Sequence, residues 1–317
     1  MRFGTVTLFG RSNVGKSTFL NAVLEHDLSI VSPLPQTTRD ALLGVVTRPD
    51  VQLAFVDTPG VHRPKTELGR RMNHAAVEAA RTTDVVVFMT DAAVVPRTRK
   101  DEDADAARAQ DAKLLKQLPS ATATPSVLVV NKVDLVRDKS RLLPILDEYV
   151  KVHDFRAVVP ISARRADGLE RVLDELTQLV PEGPAGYDED TLTDRPTRYF
   201  ASEYVREQVL AATRGEVPHA VAVSIDRFEE GKIVRIAATL HVEKIGQRKI
   251  LVGDGGAQIK AIGTAARQRI EALVGRKVFL ELFVRVSPRW KDAPRQLAEL
   301  GYAPAGRKAD DDGGLKK

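Results

Sequence analysis

The sequence predicts two domains: an α/β domain with a mostly parallel sheet and helices on both faces, then a small α+β domain. Three observations carry this. Short continuous apolar runs (Thr5 to Phe9, the stretch ending at Phe55-Val56, Val127 to Val130, Val158 to Ile161) punctuate residues 1–180, as strands buried on both faces do. A Pro/Gly/Asp-rich stretch, 181–196, then reads as a linker. The charge changes sign at the same place. Residues 1–194 carry 25 Lys and Arg against 28 Asp and Glu, whereas residues 195–317 carry 23 against 15. The basic second half is where a polyanionic partner is expected.

Composition narrows the class. With 317 residues, 43% of them hydrophobic, the chain can bury two cores. There is no cysteine, which excludes disulfides and thiolate metal sites and suits the cytosol. No apolar run nears the ~18 residues of a membrane span. The N-terminus enters a strand almost at once, which leaves no room for a signal peptide.

Along the first domain, Gly10-Arg11-Ser12-Asn13-Val14-Gly15-Lys16-Ser17 fits G-x-x-x-x-G-K-[ST]. It follows a strand pattern and precedes a helical one (Phe19, Leu20, Val23, Leu24), the context this motif requires. Gly10 and Gly15 let the backbone of Asn13, Val14 and Thr18 turn N–H groups towards phosphates at a helix N-terminus. Lys16 should reach the β- and γ-phosphates, and Ser17 should ligate Mg²⁺. Asp57, in Phe55-Val56-Asp57-Thr58-Pro59-Gly60, should hold Mg²⁺ through a water, with the Gly60 N–H against the γ-phosphate.

Asn131-Lys132-Val133-Asp134 follows another buried strand. The Asp134 carboxylate can accept from guanine N1–H and the 2-amino group. Adenine offers neither donor there, so binding it leaves a buried charge unpaired, which discriminates by roughly 10⁴-fold. Lys132 can cover the base, and Asn131 can tie this loop to the phosphate loop. Ser162-Ala163 places backbone N–H groups near guanine O6. These segments together predict GTP and GDP as ligands and GTP hydrolysis as the reaction, with the nucleotide at the carboxyl ends of the strands.

The second domain opens with an amphipathic helix, Arg198 to Arg214. Alternating runs Ala220 to Ile225 and Ile233 to Val242 read as a hairpin around Glu229-Glu230-Gly231. Gly253-Asp254-Gly255-Gly256 then precedes a helix with Ile259, Ile262, Ala266, Ile270 and Leu273 on one face, and a strand Val278 to Val286 ends the set. That order is of type II KH kind, in which a Gly-x-x-Gly loop clamps single-stranded nucleic acid. By itself Gly-x-x-Gly is an ordinary turn; the surrounding order and the charge give it meaning. Lys249, Gly253, Asp254, Gly255, Gly256, Lys260 and Arg267 are the candidate RNA residues.

From Val6 to Tyr302 the chain resembles the Era family of GTPases, in its motifs and in Gln36-Thr37-Thr38-Arg39, Arg195 to Glu203 and Leu300-Gly301-Tyr302. The resemblance implies a GTPase domain over 1–180, a KH domain over 197–302, and partners in small-subunit rRNA near its 3′ end and the 30S subunit during its assembly. It also implies loose contact with the cytoplasmic face of the inner membrane. It makes Thr38 the switch-loop Mg²⁺ ligand, although the sequence itself does not choose between Thr37 and Thr38. The switches span Gln36, Thr37, Thr38, Arg39 and Asp40, and Gly60 to Met72 with Val61 and His62. The alternative function is an RNA-binding adaptor with a structural, slowly hydrolysed GTP.

Two departures stand out. Val61 occupies the place where Ras-like enzymes carry a water-orienting glutamine. Related GTPases with an apolar residue there and Asn at the Asn13 position use a potassium ion beside the phosphates, so K⁺ is a hypothesis for Asn13. Asp254-Gly255 stands where a basic residue is usual, and Gln258 where a lysine is. Asp254 should repel RNA phosphates.

Other features read as bland. Asp101, Asp103 and Asp105 resemble the start of a calcium loop, but Ala106 and Ala112 stand where Gly and Glu are needed. Arg97 to Lys116 reads as a charged surface helix and its lead-in. Trp290 either stacks a base or packs on the sheet. The tail, 303–317, reads as disordered.

Overall fold

The computed structural model describes residues 1–96, 98 and 101–302. The expected disordered tail and Arg97, Arg99 and Lys100 of the charged run lie outside the described residues. The chain forms two compact units: Met1–Arg63 with Met72–Asp194, and Pro64–Arg71 with the chain from Arg195 onward.

The first unit runs β1 (Arg2–Gly10), α1 (Lys16–Leu24), β2 (Leu42–Arg48), β3 (Val51–Asp57), α2 (Glu67–Thr82, its first turn counted with the other unit), β4 (Val85–Asp91), α3 (Glu102–Leu115), β5 (Ser126–Asn131), α4 (Leu142–Val152), β6 (Ala157–Pro160) and α5 (Leu169–Leu179). The sheet order is β2-β3-β1-β4-β5-β6, with every pair parallel except β2 against β3. β4 and β5 are buried along their whole length, which is why they read as unbroken apolar runs. Phe9, Phe88, Leu128 and Val130 pack with α2, α3 and α4 on one face. On the other face lie α1 and α5, where Phe19 meets Phe55 edge-on at 5.9 Å.

Residues 181–194 run along this unit. The amides of Gly186 and Tyr187 donate to Gln52 Oε1 at 2.9 Å each, Leu192 O accepts from Val45 N at 2.9 Å, and Gly183 N donates to Met1 O at 3.1 Å.

The second unit runs α6 (Thr197–Ala212), α7 (Val217–Ala220), β7 (Ala222–Glu229), β8 (Ile233–Val242), α8 (Ile245–Val252), α9 (Ala257–Val274), β9 (Lys277–Val286) and α10 (Pro294–Glu299). β7 and β8 are antiparallel, with a bulge at Asp226, and β8 and β9 are parallel. Val205, Val209, Leu240, Val242, Leu251, Ile262 and Ala266 form its core. Two expectations are corrected. Ala220 ends a helical turn, begun at Val217-Pro218, and is not in the strand, which starts at Ala222. Leu273, expected on the buried face, is 39% exposed; the face that α9 buries is carried by Ile262, Ala266 and Ile270 and ends a turn before it. Among the described residues no helix is long and apolar enough to cross a membrane.

Candidate functional site

The carboxyl ends of β1, β3 and β5 and the loop after β6 converge on a cavity of about 610 Å³, a size that suits a nucleotide. Two close approaches shape it. A Cβ on Gly15, whose φ is +101°, would lie 2.2 Å from Asn131 Nδ2. A Cβ on Gly60 would lie 2.4 Å from Ser12 Cα. The phosphate loop is thus pressed between the guanine loop and the second switch, and neither glycine has room for a side chain.

Lys16 Nζ donates back across the loop to Gly10 O at 3.2 Å and Arg11 O at 2.9 Å. Burial pushes its amine down to about 8, against the pull of Asp57 and with the help of the Arg11 charge. Asp57 is fully buried at the end of β3. Its Oδ2 accepts from Ser17 Oγ at 2.7 Å and Ser29 Oγ at 3.2 Å, and Thr38 Oγ1 lies 2.9 Å from Ser17 Oγ. Burial raises the Asp57 carboxyl above its ordinary range, opposed by the Lys16 charge and these hydroxyls. Asp57 Oδ1 is buried without a hydrogen-bond partner. An orphaned carboxylate oxygen among two or three hydroxyls is a hard-oxygen set that fits Mg²⁺. The structure brings Thr38, and not Thr37, against Ser17; Thr37, Gln36 and Thr18 line the cavity.

In the guanine loop, Asn131 Oδ1 accepts from the amides of Ala163 (2.9 Å) and Lys132 (2.7 Å), and its Nδ2 donates to Val14 O at 2.9 Å. One amide therefore ties three segments together. Ser162 Oγ donates to Asp134 Oδ1 at 2.7 Å, which orients the carboxylate for the base. Lys132 adopts φ +61° and sends its amine to Asn13 O and to Asp91 Oδ2.

Asp91 leads to residues that the sequence reading missed. Arg11 donates from Nη2 to Asp91 Oδ1 and Thr90 Oγ1, both at 3.1 Å, and from Nε to Asp111 Oδ1 at 2.7 Å. Asp111 Oδ2 also accepts from Thr90 Oγ1 and from Tyr149 Oη, each at 2.6 Å. Asp111 is 0% exposed, so the segment read as a charged surface helix turns one carboxylate fully inward. Asp101 of the same segment caps α3, accepting from Ala104 N at 3.2 Å.

Of the switch residues, Val61 is buried in the core beside Phe9, and its amide bonds Gly10 O at 3.2 Å. His62 has Nδ1 3.0 Å from Gly60 O, and its backbone is held by Asn73, whose Oδ1 accepts from His62 N at 3.2 Å and whose Nδ2 donates to His62 O at 2.6 Å. Asn13 Nδ2 donates to Pro33 O at 2.9 Å. Arg39 is buried and Asp40 half-buried.

In the second unit the Gly-x-x-Gly turn joins α8 to α9, with Gly253, Gly255 and Gly256 at φ +71°, +57° and +82°. Asp254 and Gly255 are exposed at its tip, Lys249 and Lys260 are exposed within about a helical turn of it, and Arg267 is exposed further along α9. Gln258 turns away to donate to Ala212 O at 2.9 Å. Arg269 lies over the Tyr204 ring, 4.7 Å from its centroid, and pairs with Glu207, so it belongs to the α6 contact. Trp290 packs inside: it is 0% exposed, donates to Ala220 O at 2.9 Å, and stacks on Tyr302. It is not available to a base.

A guanine nucleotide answers both loops of the first unit at once, so fold and site together define a P-loop GTPase followed by a KH domain. Family models agree: one described as 50S ribosome-binding GTPase matches residues 5–132, and one for the KH domain matches residues 216–291. The chain is 42% identical to GTPase Era of Ruminiclostridium cellulolyticum over 94% of its own length and 97% of that protein. It is 43% identical to GTPase Era of Geobacter metallireducens over 95% and 98%. Its structure is similar to that of a single-residue variant of Aquifex aeolicus Era bound to GDP and AlF₄⁻, with TM-score 0.86 and 35% identity over 96% of this chain and 100% of the other. An Era structure in complex with MgGDPNP and nucleotides 1506–1542 of 16S ribosomal RNA superposes with TM-score 0.88 at the same identity and coverage. The chain belongs to the Era family of GTPases.

Proposed function

We propose that this GTPase is a nucleotide-controlled RNA-binding switch, whose KH unit takes small-subunit rRNA near its 3′ end and serves assembly of the 30S subunit. The supporting observation is one chain that holds both a candidate guanine site and a Gly-x-x-Gly turn flanked by exposed Lys249 and Lys260, with exposed Arg267 further along α9. The complex of a similar protein with a 16S rRNA segment supports the choice of RNA. We place the activity in the cytoplasm.

In this reading Lys16 and the amides of residues 13–18 hold the β- and γ-phosphates, while Asp134, Ser162 and Ala163 read the base. Ser17 and Thr38 ligate Mg²⁺ directly and Asp57 through a water. The ion, when bound, neutralises charge on the β- and γ-oxygens. Water attacks the γ-phosphorus, the bond to the β–γ bridging oxygen breaks, and GDP and phosphate leave. Val61, packed in the core, offers nothing to orient that water, so the intrinsic rate is slow. Asn13 is the candidate partner of a K⁺ ion beside the phosphates. Unchanged turnover when Na⁺ replaces K⁺ would remove that ion from the scheme.

The second reading, an adaptor with a structural GTP, also draws on the buried Val61. Binding of labelled 3′-terminal 16S RNA, at one salt concentration, with a non-hydrolysable GTP analogue and with GDP, separates the two. Tighter binding with the analogue, together with single-turnover hydrolysis, supports the switch. Equal binding and no hydrolysis sinks it in favour of the adaptor.

A further inference from the structure

Among the described residues, α6, α8 and α9 pack on one face of the second unit's sheet, and on the other face α10 reaches only the end near Ser224, His241 and Arg285. Val234, Ile236, Ala238, Leu240 and Val242 of β8 point into the core, and the alternate residues point away from it. The parallel register sets these outward residues side by side: Arg235 with Phe279, Thr239 with Phe283, and His241 with Arg285.

On that open face Phe279 is 47% exposed and Phe283 is 55% exposed. They lie four residues, or about 13 Å, apart along one strand. Two half-bare rings on a solvated strand contribute little to folding, which marks the face for binding. The Arg235 guanidinium sits 5.6 Å from the Phe279 centroid and leaves the Phe283 ring open.

The charges on this face identify the partner. Glu229 and Glu281 both pair with Arg227, at 3.9 and 3.4 Å. Asp226 is taken up by hydroxyls, accepting from Ser224 Oγ at 3.0 Å and Thr239 Oγ1 at 2.6 Å. Arg235 and Arg285 have no ion-pair partner among the described residues. Two guanidinium groups are therefore left open and interleaved with aromatic rings, the combination that single-stranded nucleic acid fits.

The Arg285 end opens into a cavity of about 550 Å³ lined by Asp226, His241, Ser287, Gln296 and Glu299, the last paired with Arg295 at 3.0 Å. His241 is held at 3.0 Å between Ser224 Oγ and Ser287 Oγ. Burial and the neighbouring Arg285 charge lower its pKa, so the ring is neutral and can accept or donate. Gln296 Oε1 is buried with no hydrogen-bond partner, which leaves an acceptor for an amino group.

We propose that this open face is a second single-stranded RNA surface, distinct from the Gly-x-x-Gly turn on the helical side. A base stacks on the open Phe283 ring, Arg235, carried on Phe279, and Arg285 take phosphates, and a terminal base enters the cavity beside His241 and Gln296. The inference rests on the RNA-binding reading of the KH unit and extends it. It also accounts for how a unit with Asp254 in its clamp loop holds RNA: the strand continues onto a surface that offers it guanidinium groups and rings.

The test is fluorescence anisotropy on the full chain with two RNAs. One has about four nucleotides, the length a Gly-x-x-Gly loop clamps. The other has about 16, enough for both surfaces. The Phe279→Ala/Phe283→Ala double variant and Arg285→Glu should weaken the long RNA about tenfold and leave the short one unchanged. Lys260→Glu should weaken both. Unchanged GTP turnover and melting temperature establish that the variants are folded. If the open-face variants bind the long RNA like wild type while Lys260→Glu does not, the inference is wrong and the KH reading stands. If wild type binds neither RNA, both fail. If the double variant instead abolishes a concentration-dependent dimer and leaves RNA affinity untouched, the face belongs to a second copy of the chain and the inference is overturned.

Discussion

Asp91 and Lys132 meet at 2.6 Å, and the same carboxylate takes Arg11 on its other oxygen at 3.1 Å. Asp91 thereby joins the phosphate loop to the loop that reads the base, without touching the nucleotide cavity itself. The far end of the Lys132 stem is thereby fixed, and the fixing group is the last residue of β4.

Replacing Asp91 with Asn removes one charge and leaves Arg11 paired with Asp111. GDP and GTP should then dissociate about tenfold faster, equivalent to ~1.4 kcal/mol. The rate at saturating GTP should hold, because the interaction is made equally in ground and transition states. Stopped-flow release of a fluorescent nucleotide measures this; an unchanged release rate refutes it.

Lys16 predicts proton uptake. Its amine, near pKa 8 in the free protein, meets phosphate oxygens when GTP binds, so its proton is held to higher pH. Calorimetry at pH 8 to 9, in buffers of different ionisation heat, should show uptake on binding, and affinity should fall as pH rises beyond 8. The folding linkage has a definite sign too. In the nucleotide-free protein the buried charge costs stability below about pH 8, and the cost is relieved as pH rises towards the unfolded value of 10.5. The pH dependence of melting should lose this component in Lys16→Met.

Asp111→Ala should destabilise the first unit by about 3–5 kcal/mol, since it leaves the Arg11 charge and the Thr90 and Tyr149 hydroxyls buried with fewer partners. Urea melts followed by far-ultraviolet circular dichroism would read it. Asp111→Asn, which keeps the shape and some hydrogen bonds, should lose less.

Asp254→Lys should tighten RNA binding and steepen its salt dependence by roughly 0.7 in slope for each additional phosphate that the lysine neutralises. Affinity titrations at several salt concentrations decide; an unchanged slope would mean that the turn does not approach the phosphates.

The parts legible in the sequence are those whose chemistry is local. Gly10 to Ser17 and Asn131 to Asp134 are each continuous, and strand patterns before them fix their place at the carboxyl ends of strands. The Arg11–Asp111 pair was invisible because its halves lie 100 residues apart and Asp111 sits in a run of exposed charges. Nothing in a single sequence separates one inward carboxylate from its solvated neighbours. Thr38 could not be told from Thr37 until the loop's path brought one hydroxyl against Ser17. The open face of the KH unit was half legible: alternation predicted the strands but not that, among the described residues, Phe279 and Phe283 stay half exposed.

The extended path of residues 181–194 has a practical corollary for dissection of the chain. Gln52, wholly enclosed in β3, keeps its carbonyl oxygen satisfied by the amides of Gly186 and Tyr187 and its own amide group on Tyr187 O at 3.0 Å. A truncation after residue 180 would strip those partners from an enclosed amide, whereas one after 194 would keep them. Gly183 N also donates to Met1 O, so the same stretch that satisfies Gln52 ties down the residue before β1, and both contacts go with it when it is cut away.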